Sequence, residues 1–169
     1  MTYTWSITPP ISTSYLSRNP RLLSTKAYTL TPNTYLLTLT AASDTWGTNA
    51  SASVSLTVEP SLLIALLTAP STIDTTTTSL TLDASASSDP DTPSDPLGNM
   101  TFAWDCLYQR TEVEGSQDCN LTTLVSNGTS PTLDVGPLDV AGYYTFKVTV
   151  MKDSRSSVAT VYVLVSLEG

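Results

Sequence analysis

The chain has 169 residues, seven Lys and Arg against 15 Asp and Glu for a net charge of −8, two Cys and no His. Without His there is no Ser-His-Asp triad, no Cys-His dyad, no His-ligated zinc and no imidazole base, and two Cys cannot build a four-thiolate metal site. The acidic balance repels a phosphate backbone and excludes nucleic acid as a partner, while a hydrophobic content of 40% excludes disorder.

No window shows an unbroken helical period, but alternating runs are frequent. In chain order, Tyr3-Thr4-Trp5-Ser6-Ile7 predicts a first strand and Tyr35-Leu36-Leu37-Thr38-Leu39-Thr40 a second. Val54, Leu56 and Val58, alternating with Ser53, Ser55 and Thr57, predict a third. Glu59-Pro60-Ser61 is a link too short to act as a flexible tether. Beyond it, Leu63 to Leu67 and Leu80-Thr81-Leu82-Asp83-Ala84 predict two strands, followed by a Trp strand, Phe102-Ala103-Trp104-Asp105-Cys106. Tyr144, Phe146, Val148 and Val150 form one face of the next strand and Thr145, Lys147 and Thr149 the other; Thr160 to Val165 closes the chain. Strict alternation means one packed face and one wet face, so the fold class expected is all-β, built of antiparallel sandwiches. The longest apolar run, Leu62 to Leu67, is six residues, against about 20 for a membrane span. No basic n-region follows Met1, so if the protein is secreted this stretch is an internal piece or a mature form.

The two parts of the chain repeat one another. Each has a Trp strand, a strand opening on Tyr and a final Val-rich strand. Tyr35 to Val58 spans 23 positions and Tyr144 to Val165 spans 21; Trp to Tyr is 30 in the first copy and 40 in the second, the extra ten falling in the segment with both cysteines. This is the order of an immunoglobulin-like sandwich: an inner Trp on strand C, a Tyr opening strand F, then strand G. Leu63 to Leu67 fits strand A of the second copy and Leu80 to Ala84 its strand B. Residues 1–59 are thus expected to be a partial sandwich lacking strands A and B, and residues 60–169 a complete one. Three explanations stay open for the first copy: the chain starts within a domain, another chain supplies the missing strands, or the copy is a smaller open sheet packed on the second.

Leu80-Thr-Leu-Asp83-Ala-Ser85-Ala-Ser-Ser-Asp89-Pro90-Asp91, Phe102-Ala-Trp104-Asp-Cys106 and Gly142-Tyr-Tyr144-Thr-Phe-Lys-Val together resemble a polycystic-kidney-disease (PKD) type sandwich. More narrowly they resemble the receptor-for-egg-jelly (REJ) module of polycystin-1-like proteins. Trp-x-Cys on strand C with a second Cys downstream favours REJ, and Trp-Asp-Cys stands where plain PKD modules have Trp-Asp-Phe-Gly-Asp-Gly. The first copy resembles a preceding repeat of the same type. The resemblance implies extracellular modules of large surface proteins, with no enzyme activity.

Among candidate sites, Cys106 and Cys119, thirteen apart, are expected to form one disulfide in an oxidising compartment; two free buried thiols are the alternative. Four N-x-S/T sequons mark Asn49, Asn99, Asn120 and Asn127 as candidates for N-glycosylation, and Thr75, Thr76, Thr77 and Thr78 as an O-glycan acceptor run. Most of the 30 Thr serve as wet strand faces instead. Asp83, Asp89 and Asp91, with Asp95 and Asp105, are candidate oxygen ligands for calcium, although Asp-Pro with Ser is equally the chemistry of turns. Calcium aside, no cofactor is expected. Trp5 and Trp104 read as core. Trp46, in the loop between strands F and G, is a candidate anchor for a partner or a sugar, or else packs over the sandwich end. Glu112 and Glu114 read as solvated loop charges rather than a glycosidase pair.

These residues lead to the expectation of a non-enzymatic structural subunit of a glycosylated extracellular fibre or cell-surface appendage. Its partners would be copies of itself, joined head-to-tail, or neighbouring modules, with Leu37, Leu39, Val54, Leu56 and Trp46 as the assembly face. The alternative is a ligand-binding or adhesive fragment of a polycystin-like receptor ectodomain.

Overall fold

A computed structural model describes residues 1–11, 21–111, 115–121, 124 and 128–167. It is all-β and divides into two compact units, Met1–Pro60 and Ser61–Gly169. Among the described residues no helix is long and apolar enough to cross a membrane.

The first unit is a three-stranded antiparallel sheet in the order β1 (Thr2–Thr8), β2 (Asn33–Ala42), β3 (Asn49–Val58). Its register aligns Trp5 with Leu39, Ile7 with Leu37, Leu37 with Val54, and Tyr35 with Leu56. Residues directly opposite share a face, so all the large apolar side chains of β1 and β3 lie on one side. The other side is almost entirely Ser and Thr, where the Thr38 and Ser53 hydroxyls share a hydrogen bond of 2.8 Å and those of Thr34 and Thr57 one of 3.3 Å. Tyr35 is buried, whereas Val54, at 58% exposure, and Leu56, at 38%, remain open on the apolar side.

The second unit is built from two sheets over one core. The larger has the order β4 (Thr72–Asp74), β10 (Arg155–Ser166), β9 (Gly142–Lys152), β6 (Thr101–Gln109), β7 (Gln117–Asp118); β4 joins in parallel and the other pairs are antiparallel. The smaller pairs β5 (Leu80–Asp83) with β8 (Thr132–Val135). Leu80, Leu82 and Val135 of the small sheet share a buried core with Phe102, Trp104, Phe146, Val148, Val150, Val163 and Val165 of the large one. Tyr144, Phe146, Val148 and Val150 point inward as their alternation predicts. Gly142 is required where it stands, because a Cβ there would come within 2.6 Å of both the Gln109 carbonyl and the Tyr108 ring.

The strand expected at Leu63 to Leu67 is corrected. The segment is extended and Leu63 is buried, but it touches neighbouring backbone only at the bridges Ile64–Ser88 and Thr68–Asp83. Between them a side chain replaces the ladder: the Ser87 hydroxyl accepts from the Leu66 N–H at 3.1 Å and donates to its carbonyl at 3.2 Å. The strand that pairs with the sheet follows Pro70, where Thr72 to Asp74 lie beside Leu164 to Ser166.

The two units share a strand order and a tyrosine hydrogen bond. The order β1-β2-β3 matches β6-β9-β10. The Tyr35 hydroxyl donates to the Thr31 carbonyl and the Tyr144 hydroxyl to the Val140 carbonyl, each four residues upstream and each at 2.9 Å. A tyrosine closing the corner before strand F is a feature of immunoglobulin-like sandwiches.

Candidate functional site

The Asp-Pro-Asp turn after β5 forms the most heavily charged buried site described. Its first carboxylate, Asp89, has no solvent exposure. The Arg155 guanidinium holds it through both oxygens, at 3.0 and 2.9 Å, and the Lys152 ammonium lies 2.9 Å away. Arg155 also donates to Asp91 at 3.1 Å and to the Ser61 carbonyl at 3.0 Å, while Asp91 accepts from the Ser61 N–H at 2.9 Å and its hydroxyl at 2.7 Å. Lys152 completes the knot with a bond of 3.1 Å to the Thr92 hydroxyl. Asp89 offsets its desolvation by this double pairing. The Arg155 guanidinium, then Lys152, hold its carboxyl far below the usual carboxylate range, and Asp89 in turn raises the Arg155 pKa.

The calcium candidates Asp83, Asp89 and Asp91 have protein partners among the described residues. Two basic side chains occupy the charge on Asp89, and Asp83 turns back to accept from the Ser85 N–H at 2.8 Å, which lowers its pKa. Asp105 pairs with Lys147 at 2.6 Å. Among the described residues no three Asp, Glu, Cys or His side chains converge on a point where a metal would sit.

Cys106 and Cys119 form a disulfide with Cα atoms 5.6 Å apart. Cys106 lies on the buried face of β6, and β7 pairs beside it, so the bridge fixes the long insertion to the sheet. Asn49, Asn99 and Asn120 are exposed, the first at the head of β3 and the other two at left-handed turn positions that Asn tolerates well. Asn127, Glu112 and Glu114 lie outside the described residues. The Thr75 to Thr78 run is a turn organised by Asp74, whose carboxylate accepts from the Thr76 hydroxyl at 2.6 Å and the Thr77 hydroxyl at 3.2 Å. Those bonds lower the Asp74 pKa.

Trp104 is core and Trp5 is half-buried. Trp46 is 80% exposed and covers no sandwich end. It sits at the tip of the β2–β3 hairpin, closed by Ser43 N–H to the Thr48 carbonyl at 2.9 Å and Gly47 N–H to the Ser43 carbonyl at 3.1 Å. The left-handed φ of 62° at Gly47 makes the tight reversal. Leu37 and Leu39 are half-buried on the same apolar face that leaves Val54 and Leu56 open.

One feature was not legible from sequence. A groove of about 490 Å³ lies at one end of the large sheet of the second unit, lined by Ser71, Gln109, Tyr143, Thr145, Tyr162 and Leu164 among others. Register creates it. Gln109, Tyr143 and Leu164 stand opposite one another on the outer face of β6, β9 and β10, with Leu107, Thr145 and Tyr162 in the next row. Tyr162 is 71% exposed there. An alternation that places large apolar residues on the wet face was the available signal.

No curated protein matches the sequence. Among solved structures, the three N-terminal domains of the bacteriophage RB49 highly immunogenic outer capsid protein (Hoc) are 14% identical, with a TM-score of 0.37 over 97% of this chain and 48% of that one. Immunoglobulin domains 1–5 of Sidekick-1 are 14% identical, with a TM-score of 0.33 over 98% of this chain and 34% of that one. The chain thus spans less than half the length of either. The family described as REJ domain matches residues 1–168.

Proposed function

The chain belongs to the REJ domain family, and from that premise we propose that it is a structural subunit of a glycosylated extracellular fibre or cell-surface appendage. REJ modules are non-catalytic and extracellular, and the Cys106–Cys119 disulfide suits an oxidising compartment. Subunits join head-to-tail, and the apolar face of the first unit is completed by strands added from outside it.

The observation that carries this reading is the inequality of two equivalent sheets. In the second unit, β5 and β8 cover the apolar face of β6-β9-β10. In the first, no second sheet is described over β1-β2-β3, and Val54 and Leu56 remain exposed. An open apolar face of this kind is a contact surface. Electron micrographs of the secreted chain test the proposal: repeating filaments are expected, and dispersed single particles at every concentration overturn it. Glycans on Asn49, Asn99 or Asn120 supply solubility to a chain with only 13% charged residues.

A second reading is a ligand-binding or adhesive segment of a polycystin-like receptor ectodomain, which family membership itself favours. It differs in expecting a monomer that binds a foreign ligand.

A further inference from the structure

We propose that the second unit is a shear clamp, built to hold tension applied along the chain between Ser61 and Leu167. The inference takes only the source of the load from the fibre reading above; the clamp itself is read from the large sheet. β4 and β10 form the one parallel pair among the described strands, with Thr72, Ile73 and Asp74 beside Leu164, Val165 and Ser166. Load reaches β4 at its first residue and β10 at its last. In a parallel pair those two ends lie apart, so tension drives the strands past one another along their length. The evenly spaced bonds of a parallel ladder lie across that movement and carry it together. Strands loaded from the same end, as in a hairpin, open one bond at a time. The bonds that share the load include the Leu164 N–H to the Ser71 carbonyl at 2.9 Å, the Thr75 N–H to the Ser166 carbonyl at 3.0 Å and the Ser166 hydroxyl to the Ile73 carbonyl at 3.3 Å.

The entry of the chain is fixed to the other end of the same strand. The Ser61 carbonyl accepts from Arg155, the first residue of β10, at 3.0 Å, and the Ser61 N–H and hydroxyl donate to Asp91 at 2.9 and 2.7 Å. Arg155 also binds Asp91 and is itself seated on Asp89. Residues 61–74 therefore run from the head of β10 to its tail. Arg155 to Leu164 spans about 30 Å of strand, and the chain from Ser61 to Thr72 reaches at most about 40 Å when fully extended, so the segment holds little slack. It is pinned on the way by the bridges Ile64–Ser88 and Thr68–Asp83, each closed by backbone bonds of 2.8 and 2.9 Å. Tension at Ser61 meets the ionic knot, then the bridges, then the β4–β10 ladder, all before the core opens. The tail of β10 is held on its other flank by β9, where Val163 and Val165 stand opposite Tyr144 and Gly142 with both valines buried.

Constant-force spectroscopy of single full chains, tethered by their two ends, tests this. Reducing Cys106–Cys119 identifies the second unit: its unfolding step then lengthens by about 40 Å, the reach of the 13 positions the bridge withholds. In the wild type this unit is expected to open in one abrupt step. Thr75→Pro deletes the N–H that donates to Ser166, and Asp91→Ala releases Ser61. Each is expected to shorten the lifetime at fixed force about five-fold or more, the scale of one lost hydrogen bond. Tyr144→Phe is the matched control. It too loses one hydrogen bond, but that bond stays formed while β4 slides past β10, so the lifetime under load should stay within about two-fold of wild type while the melting temperature falls. Cooperative melting confirms that each variant folds, and Asp91→Ala carries the comparison if Thr75→Pro does not fold. The clamp is overturned if the folded clamp variants keep the wild-type lifetime, if Tyr144→Phe shortens it as much as they do, or if the wild-type unit lengthens gradually without a step. The fibre reading is judged separately by its micrographs, so either can fail alone.

Discussion

Arg155 and Asp89, 66 positions apart in sequence, face each other through two parallel hydrogen bonds of 3.0 and 2.9 Å. The pair joins the β9–β10 hairpin to the Asp-Pro-Asp turn, and through Asp91 and the Ser61 carbonyl it also holds the first residue of the second unit. Removing one partner leaves desolvated charge. Asp89→Ala is expected to destabilise the second unit by about 3 kcal/mol, the scale for breaking a buried ion pair. Arg155→Met, which retains the apolar stem, strands Asp89 beside Lys152 alone and should cost less. Urea denaturation monitored through Trp104 fluorescence measures both.

The same site sets the acid response. Asp89, with Asp44, Asp74, Asp83 and Asp105, has its pKa lowered by folding, chiefly by Arg155 in the case of Asp89 and by Lys147 for Asp105. A carboxylate with a lower pKa in the folded chain stabilises fully above its unfolded value, near 3.9, and loses that contribution as pH falls toward the folded value. The melting temperature should hold from about pH 8 to pH 5 and fall below about pH 4. Asp89→Asn should start lower and fall less steeply, and an equally steep fall would remove Asp89 as the main contributor.

The disulfide closes a loop of about 14 residues, and the chain-entropy scale assigns it roughly 3 kcal/mol. The double variant Cys106→Ala with Cys119→Ala should lose that much or more, since Cys106 is also packed in the core. The unreduced native protein should show no titratable thiol. Labelling of two thiols without reductant would contradict the bridge.

The two tyrosine corners allow a matched comparison. Tyr144→Phe removes one hydroxyl and leaves the Val140 carbonyl without its 2.9 Å donor, at a cost of about 1 kcal/mol. Tyr35→Phe does the same at Thr31. If the units unfold separately, hydrogen exchange should show each substitution loosening its own unit only.

Glycan occupancy is read by mass. Material secreted from a eukaryotic host should carry N-glycans on at least one of Asn49, Asn99 and Asn120, removed one at a time by Asn→Gln substitution. A mass equal to the bare chain would end the glycoprotein reading.

The long strands were legible because their alternation is local. Tyr144, Phe146, Val148 and Val150 point inward in the order their spacing predicts, and the pairing of Tyr35 with Tyr144 as equivalents reappears as the same hydrogen bond. The short strands β4, β7 and β8, two to four residues each, carry too few alternations to be read. The partners of Asp89 stayed hidden for a related reason. Its own neighbourhood contains only acids, Pro and Ser, and nothing local points to Lys152 and Arg155 beyond the next sheet strand.

By itself the sequence determined the fold class, the inward faces and the cysteine pair, because each is written in periods of two residues or in the residue types themselves. Only the tertiary structure decided what neutralises Asp89, which residues line the tyrosine groove, and that Val54, Leu56 and Trp46 are left uncovered. Those outcomes depend on strand register and on which distant segment lies alongside, and neither is a property of a neighbourhood in the chain.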